Sequence, residues 1–137
     1  VHLHRPLPQR CGPLLITLKA LTYAPTGGIV TAPTTSLPKD IGGVRNWGYR
    51  YVWLRDAARV MSSLLRTGYR DVARAWREWL VRAVAGDPEN LQIMHGLGGE
   101  REFPETELGR PAGYENSKPV RTGTPPPASG NWTCTAR

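Results

Sequence analysis

Cysteine is scarce. The 137 residues contain two, Cys11 and Cys134, one near each end. Two such cysteines do not make a disulfide framework, and the opening VHLHRPLPQR lacks the apolar core of a signal peptide. Long hydrophobic runs are also missing. No stretch of 18 apolar residues occurs, so no transmembrane helix is expected and the default address is cytoplasmic. Zinc-finger spacing and RNA-binding signatures are absent, no metal or cofactor is expected, and no repeated period points to a solenoid.

What remains is enough for one ordinary domain. Hydrophobic residues make up 39% and charged residues 21%, a globular rather than a disordered balance. The formal charge is +7 and the pI near 10.0. Such a balance suits a nucleic-acid surface, but also the arginine-rich protein of a GC-rich genome. The arginines alternate with Ala, Glu and Asp along the helical stretches instead of forming a block, so the second reading is preferred and no nucleic-acid partner is expected.

Local pattern is uneven. Residues 14–23, LLITLKALTY, fit a helix or a strand. Residues 24–50 are punctuated by proline and glycine and read as loop. Then Leu54, Ala57, Ala58, Met61, Leu64 and Leu65 follow the spacing of an amphipathic helix, with Gly68 placed to end it. Val72, Ala75, Trp76, Trp79, Leu80 and Ala83 trace a second helix over 70–85, closed by Gly86 and Asp87-Pro88. The short linker predicts an αα-hairpin. LQIMH at 91–95 suits a short strand, and the segment from there to about 123 reads as loop. Two helices alone bury little, and the tryptophans of the second call for further packing partners.

The densest stretch is RNWGYRYVWLRDAA, residues 45–58. Trp47, Tyr49, Tyr51 and Trp53 stand among three arginines and Asp56. Two readings fit. Aromatic faces stack on the apolar side of a pyranose, while Arg and Asp take its hydroxyls through charge-assisted pairs. Alternatively, Asp56 caps a helix, Arg55 pairs with it and the aromatics are core.

Several ordered segments narrow this choice: LKALTYAPTGGIVTAPTTSLP, IGGVRNWGYRYVWLRDA, GYRDVARAWREWLVRAVAGDPENLQIM and PAGYENSKPVR. Together, from about Leu15 to Gly123, they closely resemble the glucoamylase-like catalytic domain of glycoside hydrolase family 15, in the bacterial branch of glucoamylases and α,α-trehalases. The resemblance implies an all-α fold, part of an (α/α)6 toroid with long loops. It implies inverting, exo-acting hydrolysis of α-glucosides, trehalose or maltooligosaccharides, by a general acid and a general base with room between them for water. It also implies that Tyr49, Trp53, Arg55 and Asp56 form the subsite for the non-reducing glucose, the aromatics as walls and the charged pair on its hydroxyls.

The sequence departs from the family at Gly48, where the branch usually has Asp, at His95, where it usually has Tyr, and near Gly98, where it often has an acidic or polar residue. Gly48 removes a carboxylate and loosens the backbone before Tyr49. His95 is given no catalytic role. By resemblance both catalytic glutamates lie downstream of Gly123. Glu89, Glu100, Glu102, Glu105, Glu107 and Glu115 match neither, read as solvated loop residues, and no catalytic residue is assigned.

The ends suggest shifted reading frames. One base earlier, the tail TPPPASGNWTCTAR can be read as NAAASQWQLDVYGE, a segment like the family's continuation. The start can likewise be read as YTYTGPYRNAVVRS. The chain is therefore expected to comprise residues 1–14 and 124–137 as frameshifted or disordered ends around a family segment at 15–123. By resemblance the isolated chain lacks both catalytic glutamates, and it is expected to be inactive and to aggregate or stay loose. A non-catalytic pseudogene remnant is the alternative, and a small basic helical nucleic-acid-binding module a distant third.

Overall fold

The computed structural model describes residues 11–85 and 91–123. Among them the elements are α1 (Cys11–Ala20), β1 (Val52–Trp53), α2 (Leu54–Arg66), α3 (Arg70–Val84), β2 (Met94–His95), β3 (Thr106–Leu108) and β4 (Val120–Thr122), with one 3-10 turn at Tyr114–Asn116 before β4. No helix among the described residues is long and apolar enough to cross a membrane.

The ambiguous stretch after residue 13 resolves as a helix. Pro13 sits in the first turn of α1, where a missing N–H costs nothing, and its carbonyl accepts from Thr17 Oγ1 at 3.1 Å. Extended structure begins only at Thr22, which bridges to Ile29 across a Pro-Thr-Gly-Gly turn. Gly27 in that turn has a φ of 84°, and a side chain there would collide with the carbonyl oxygen of Ala75. Glycine is thus what lets the turn press against α3.

The helical hairpin forms where the periodicity places it. Ala57, Met61 and Leu64 of α2 and Val72, Ala73, Trp79 and Ala83 of α3 are buried. Ala58 and Leu65, counted by spacing on the inner face, are exposed, and on α3 Ala73 is buried where Ala75 was expected. The buried stripe is narrower than the pattern because only one flank of each helix meets the rest of the chain. Gly68 takes a φ of 93° just past α2, the left-handed conformation of a C′ residue. The Tyr69 N–H then closes onto the Leu64 carbonyl at 2.9 Å.

Two apolar clusters hold the elements together. Leu15 and Ile29 pack with Met61, Leu64, Val72 and Ala73 between α1 and the hairpin. Val52, Ala57, Trp79 and Ala83 form the second, beneath β1. Each buried side chain of Leu or Ile size contributes about 1.5–3 kcal/mol.

The described residues are helix-rich, as expected, and add two small antiparallel pairs. Val52 pairs with His95 and Trp53 with Met94, antiparallel, so only the last two residues of LQIMH form strand. The region read as loop up to 123 contains a second antiparallel pair, Thr106↔Thr122, Glu107↔Arg121 and Leu108↔Val120. Across this pair Arg121 Nη2 donates to Glu107 Oε1 at 3.1 Å, an exposed contact that adds little. Periodicity could not reveal strands of three residues. Gly86, the Asp87-Pro88 stop, Glu89 and Cys134 lie outside the described residues, as do residues 1–10 and 124–137 of the ends expected to be frame-shifted.

Candidate functional site

The dense aromatic run enters α2 directly. Val52 is fully buried against the second cluster, and the Leu54 N–H donates to the Ile93 carbonyl at 3.0 Å. Strand β1 thus fixes the entry angle, and Trp53 becomes the N-cap residue without a side-chain cap bond. Asp56 stands in the first turn, where the helix dipole favours a carboxylate.

Upstream, the run is held by its neighbours' backbone. Thr31 and Ala32 donate to the carbonyls of Tyr51 and Tyr49 at 3.0 and 3.1 Å. The four aromatics occupy alternate positions, which an ideal strand would turn to one face. Instead they divide. Tyr49 and Trp53 stack on each other, centroids 6.5 Å apart and planes 29° apart. Tyr51 tilts onto Phe103 at 4.8 Å, and its hydroxyl accepts from the Gly123 N–H at 3.0 Å. Trp47 lies under the Arg121 guanidinium, 5.7 Å from ring centroid to Cζ.

Arg55 and Asp56 meet at 3.4 Å, Nε to Oδ1, with side chains 75% and 40% exposed. Such an open pair is worth little by itself. Both groups are therefore free to exchange each other for a ligand's hydroxyls at small cost. The Asp56 carboxylate also borders a hollow of about 140 Å³ lined by Leu18, Ile29, Val30 and Val60. The structure thus brings together Tyr49 with Trp53, and Arg55 with Asp56, in one short span at the head of α2.

Residues that the pattern did not single out support this span. Arg121, 16% exposed, pairs with Glu105 at 3.0 Å and donates to the Val44 carbonyl at 2.6 Å. Its backbone carbonyl accepts from Ser36 Oγ at 3.0 Å. Asn46, fully buried, donates to the Ser117 carbonyl at 2.9 Å. The reading of Glu105 as a solvated residue is corrected, since it is 23% exposed and pairs with Arg121; Glu107 is solvated as expected, at 61% exposed, but lies in β3. Glu100 is exposed, as expected, and its carboxylate accepts from the nearby Gly98 N–H at 3.0 Å. Gly48 is itself buried, and a Cβ there would stand 3.2 Å from Thr35 Oγ1.

His95 pairs with Val52 of the span and is buried on the core side of β2. It is fully buried, edge-on to Trp79 at 6.0 Å, and neither ring nitrogen has a hydrogen-bond partner among the described residues. Burial, and secondarily the Arg101 charge, pushes its pKa below the ordinary value. The folded chain therefore holds it neutral while the unfolded chain takes up a proton near pH 6.5. Stability is full above that pH and falls as the solution is acidified, by up to about 1.4 kcal/mol per pH unit while the folded imidazole stays neutral. Urea midpoints at pH 7.5 and 5.5 measure this. His95→Phe should flatten the difference, and an equal slope in that variant rules the residue out as its source.

The sequence profile of the glycosyl hydrolases family 15 matches residues 13–126. The trehalase of Mycolicibacterium smegmatis is 45% identical over 111 residues, 79% of this chain and 17% of that protein. The trehalase of Mycobacterium tuberculosis is 43% identical over 112 residues, 79% of this chain and 16% of its own length. That of Thermoplasma acidophilum is 40% identical over 108 residues, 79% and 18%. The chain thus spans under a fifth of the length of these curated relatives. No solved structure matches it.

Proposed function

The chain belongs to the glycosyl hydrolases family 15, and from that membership we propose that residues 45–58 form the glucose-holding part of an exo-acting, inverting α-glucosidase acting on trehalose. The carrying observation is the stacked Tyr49–Trp53 pair placed within three residues of the open Arg55–Asp56 pair at the start of α2. A terminal glucose would lie its apolar face on the two rings. Its vicinal hydroxyls would replace the Arg55–Asp56 contact, each gaining a charged partner worth about 1.5–3 kcal/mol. Trehalose is preferred over maltooligosaccharides because the relatives compared are named trehalases.

The proposed division of labour leaves proton transfer to carboxyls outside this chain. Glu105 and Glu107 are engaged by Arg121, and Glu100 by the Gly98 N–H. A helical toroid would be completed by helices beyond the α2–α3 hairpin, in the cytoplasm.

The test is kinetic. The 137-residue chain by itself should show no turnover of trehalose, maltose or starch. In a polypeptide extending it to the relatives' full length, inversion should release one α- and one β-glucose from each trehalose, resolved by NMR before mutarotation. Asp56→Asn should lower kcat/KM roughly ten- to a hundredfold, the loss of one charged hydrogen bond. Unchanged kinetics in that variant would remove Asp56 from the site, and turnover by the short chain would overturn the division of labour.

A further inference from the structure

Strand β2 is two residues long, and it carries an imidazole that no neighbour serves. Met94 and His95 are both buried, and neither ring nitrogen of His95 has a hydrogen-bond partner among the described residues. Val52 and Trp53 stand opposite, and the Leu54 N–H donates to the Ile93 carbonyl at 3.0 Å. The start of α2, one residue before Arg55, thus depends on this short strand. A neutral imidazole can rest there, edge-on to Trp79. A charged one cannot, because two N–H donors would lack both acceptors and water.

The groups around the ring sharpen this. Helix α3 meets it through Trp79 and β1 through Val52, neither of them titratable near neutral pH. The turn after β2 brings two charges. Arg101 opposes protonation of the ring, as burial does more strongly. Glu100 reaches back to where a side chain on Gly96 would stand, but it is exposed and its carboxylate accepts from the Gly98 N–H. Segment 93–101 is tied to its neighbours by the β1–β2 pair, by Trp79 Nε1 on the Leu97 carbonyl and by Arg101 on the Ala83 carbonyl. The apolar cluster around Met61 and Leu64 contains no residue of this segment.

We propose that β2 is a latch that acid opens: when His95 takes up a proton, Met94 and His95 leave β1, and the first turn of α2, with Arg55 and Asp56, loses its fixed place. Neutral solution keeps the latch shut. Below about pH 6.5, proton uptake by the released ring draws the equilibrium open. A ring that is neutral when shut and ordinary when released raises the opening constant about tenfold between pH 7.5 and 5.5. The hairpin stays assembled meanwhile, so the opening is local. The latch governs the placement of Arg55 and Asp56 whatever they hold, and so it goes beyond the sugar reading without resting on it.

Amide hydrogen exchange of the 137-residue chain at pH 7.5 and 5.5, corrected for the intrinsic rate, tests the latch. The Leu54 amide should lose protection about tenfold at the lower pH. At both values it should exchange at least about tenfold faster than the amide of Leu64, which lies inside α2 and away from β2. In His95→Phe the Leu54 amide should stay protected and lose its pH dependence. Equal protection at Leu54 and Leu64 overturns the latch, since the ring then meets water only on global unfolding. So does a Leu54 amide indifferent to pH, one unprotected at pH 7.5, or a dependence that survives His95→Phe. Should that variant fail to fold, the 15N shifts of the wild-type ring decide. A neutral imidazole at pH 5.5 in the folded chain upholds the latch, and a charged one overturns it. Failure of the latch leaves trehalose turnover by a longer polypeptide untouched, and loss of that turnover leaves the latch standing.

Discussion

Trp79→Ala is expected to remove about 3–5 kcal/mol of stability, much of what a domain of this size possesses. The indole is 1% exposed, the largest of the fully buried side chains. It joins three things at once. Its rings fill the cluster under β1 with Val52, Ala57 and Ala83. Its Nε1 donates to the Leu97 carbonyl at 2.8 Å, fastening the glycine-rich turn after β2. Its edge-on contact with His95 supports the strand that pairs with β1. Alanine leaves a cavity and an orphaned carbonyl together. Trp79→Phe separates the two costs, since it keeps most of the volume and loses only the donor, with an expected penalty of about 1–2 kcal/mol. Urea denaturation followed by circular dichroism reads both. Equal losses in the two variants would place the whole effect in the hydrogen bond.

Arg121→Ala is expected to cost about 3 kcal/mol. Its guanidinium meets Glu105 at 3.0 Å, Glu107 at 3.1 Å and the Val44 carbonyl at 2.6 Å, and lies over Trp47. Arg121 and Glu105 are 16% and 23% exposed, so the loss falls below the 3–5 kcal/mol of a fully buried pair, and the Val44 bond restores part of the difference. Glu107, 61% exposed, adds little. Arg121→Lys should recover less than half, because an ammonium cannot serve a fork of acceptors and a ring face together. A double-mutant cycle with Glu105→Gln should give a coupling of about 1–2 kcal/mol; a coupling near zero would assign the stabilisation to Val44 and Trp47 instead.

These two residues show where the sequence is legible. The helical hairpin is written in a spacing that repeats over several turns, so Leu64 and Trp79 were placed inside from their positions alone. Strands of two or three residues carry no such repetition, and β1 to β4 are defined by partners 12 to 43 residues away. The proposed glucose-holding role of Tyr49, Trp53, Arg55 and Asp56 came from family resemblance, because the residue types alone fit both a pyranose site and a helix cap beside core aromatics. The supports of that span were not legible. Arg121 resembles any other arginine in a basic chain until Glu105 and Val44 are beside it. His95 looks like a reactive histidine, and only its burial beside Trp79 shows it to be part of the core.

Besides Thr31 and Ala32, the aromatic run and the loop before it have anchors far along the chain. Ser36 reaches Arg121 across 85 residues, Gly42 reaches Ser117 across 75, Asn46 reaches Ser117 across 71 and Gly123 reaches Tyr51 across 72. A nascent chain at roughly 5–20 residues per second therefore waits about 4–14 s between making Tyr51 and making its clasp. During that interval the αα-hairpin, whose contacts are local, can form first, while the run from Trp47 to Trp53 stays open to chaperones. A stop or a slow codon cluster before Ser117 would prolong that window. Its four aromatic residues make the run, until its clasp is synthesised, an adhesive part of the growing polypeptide.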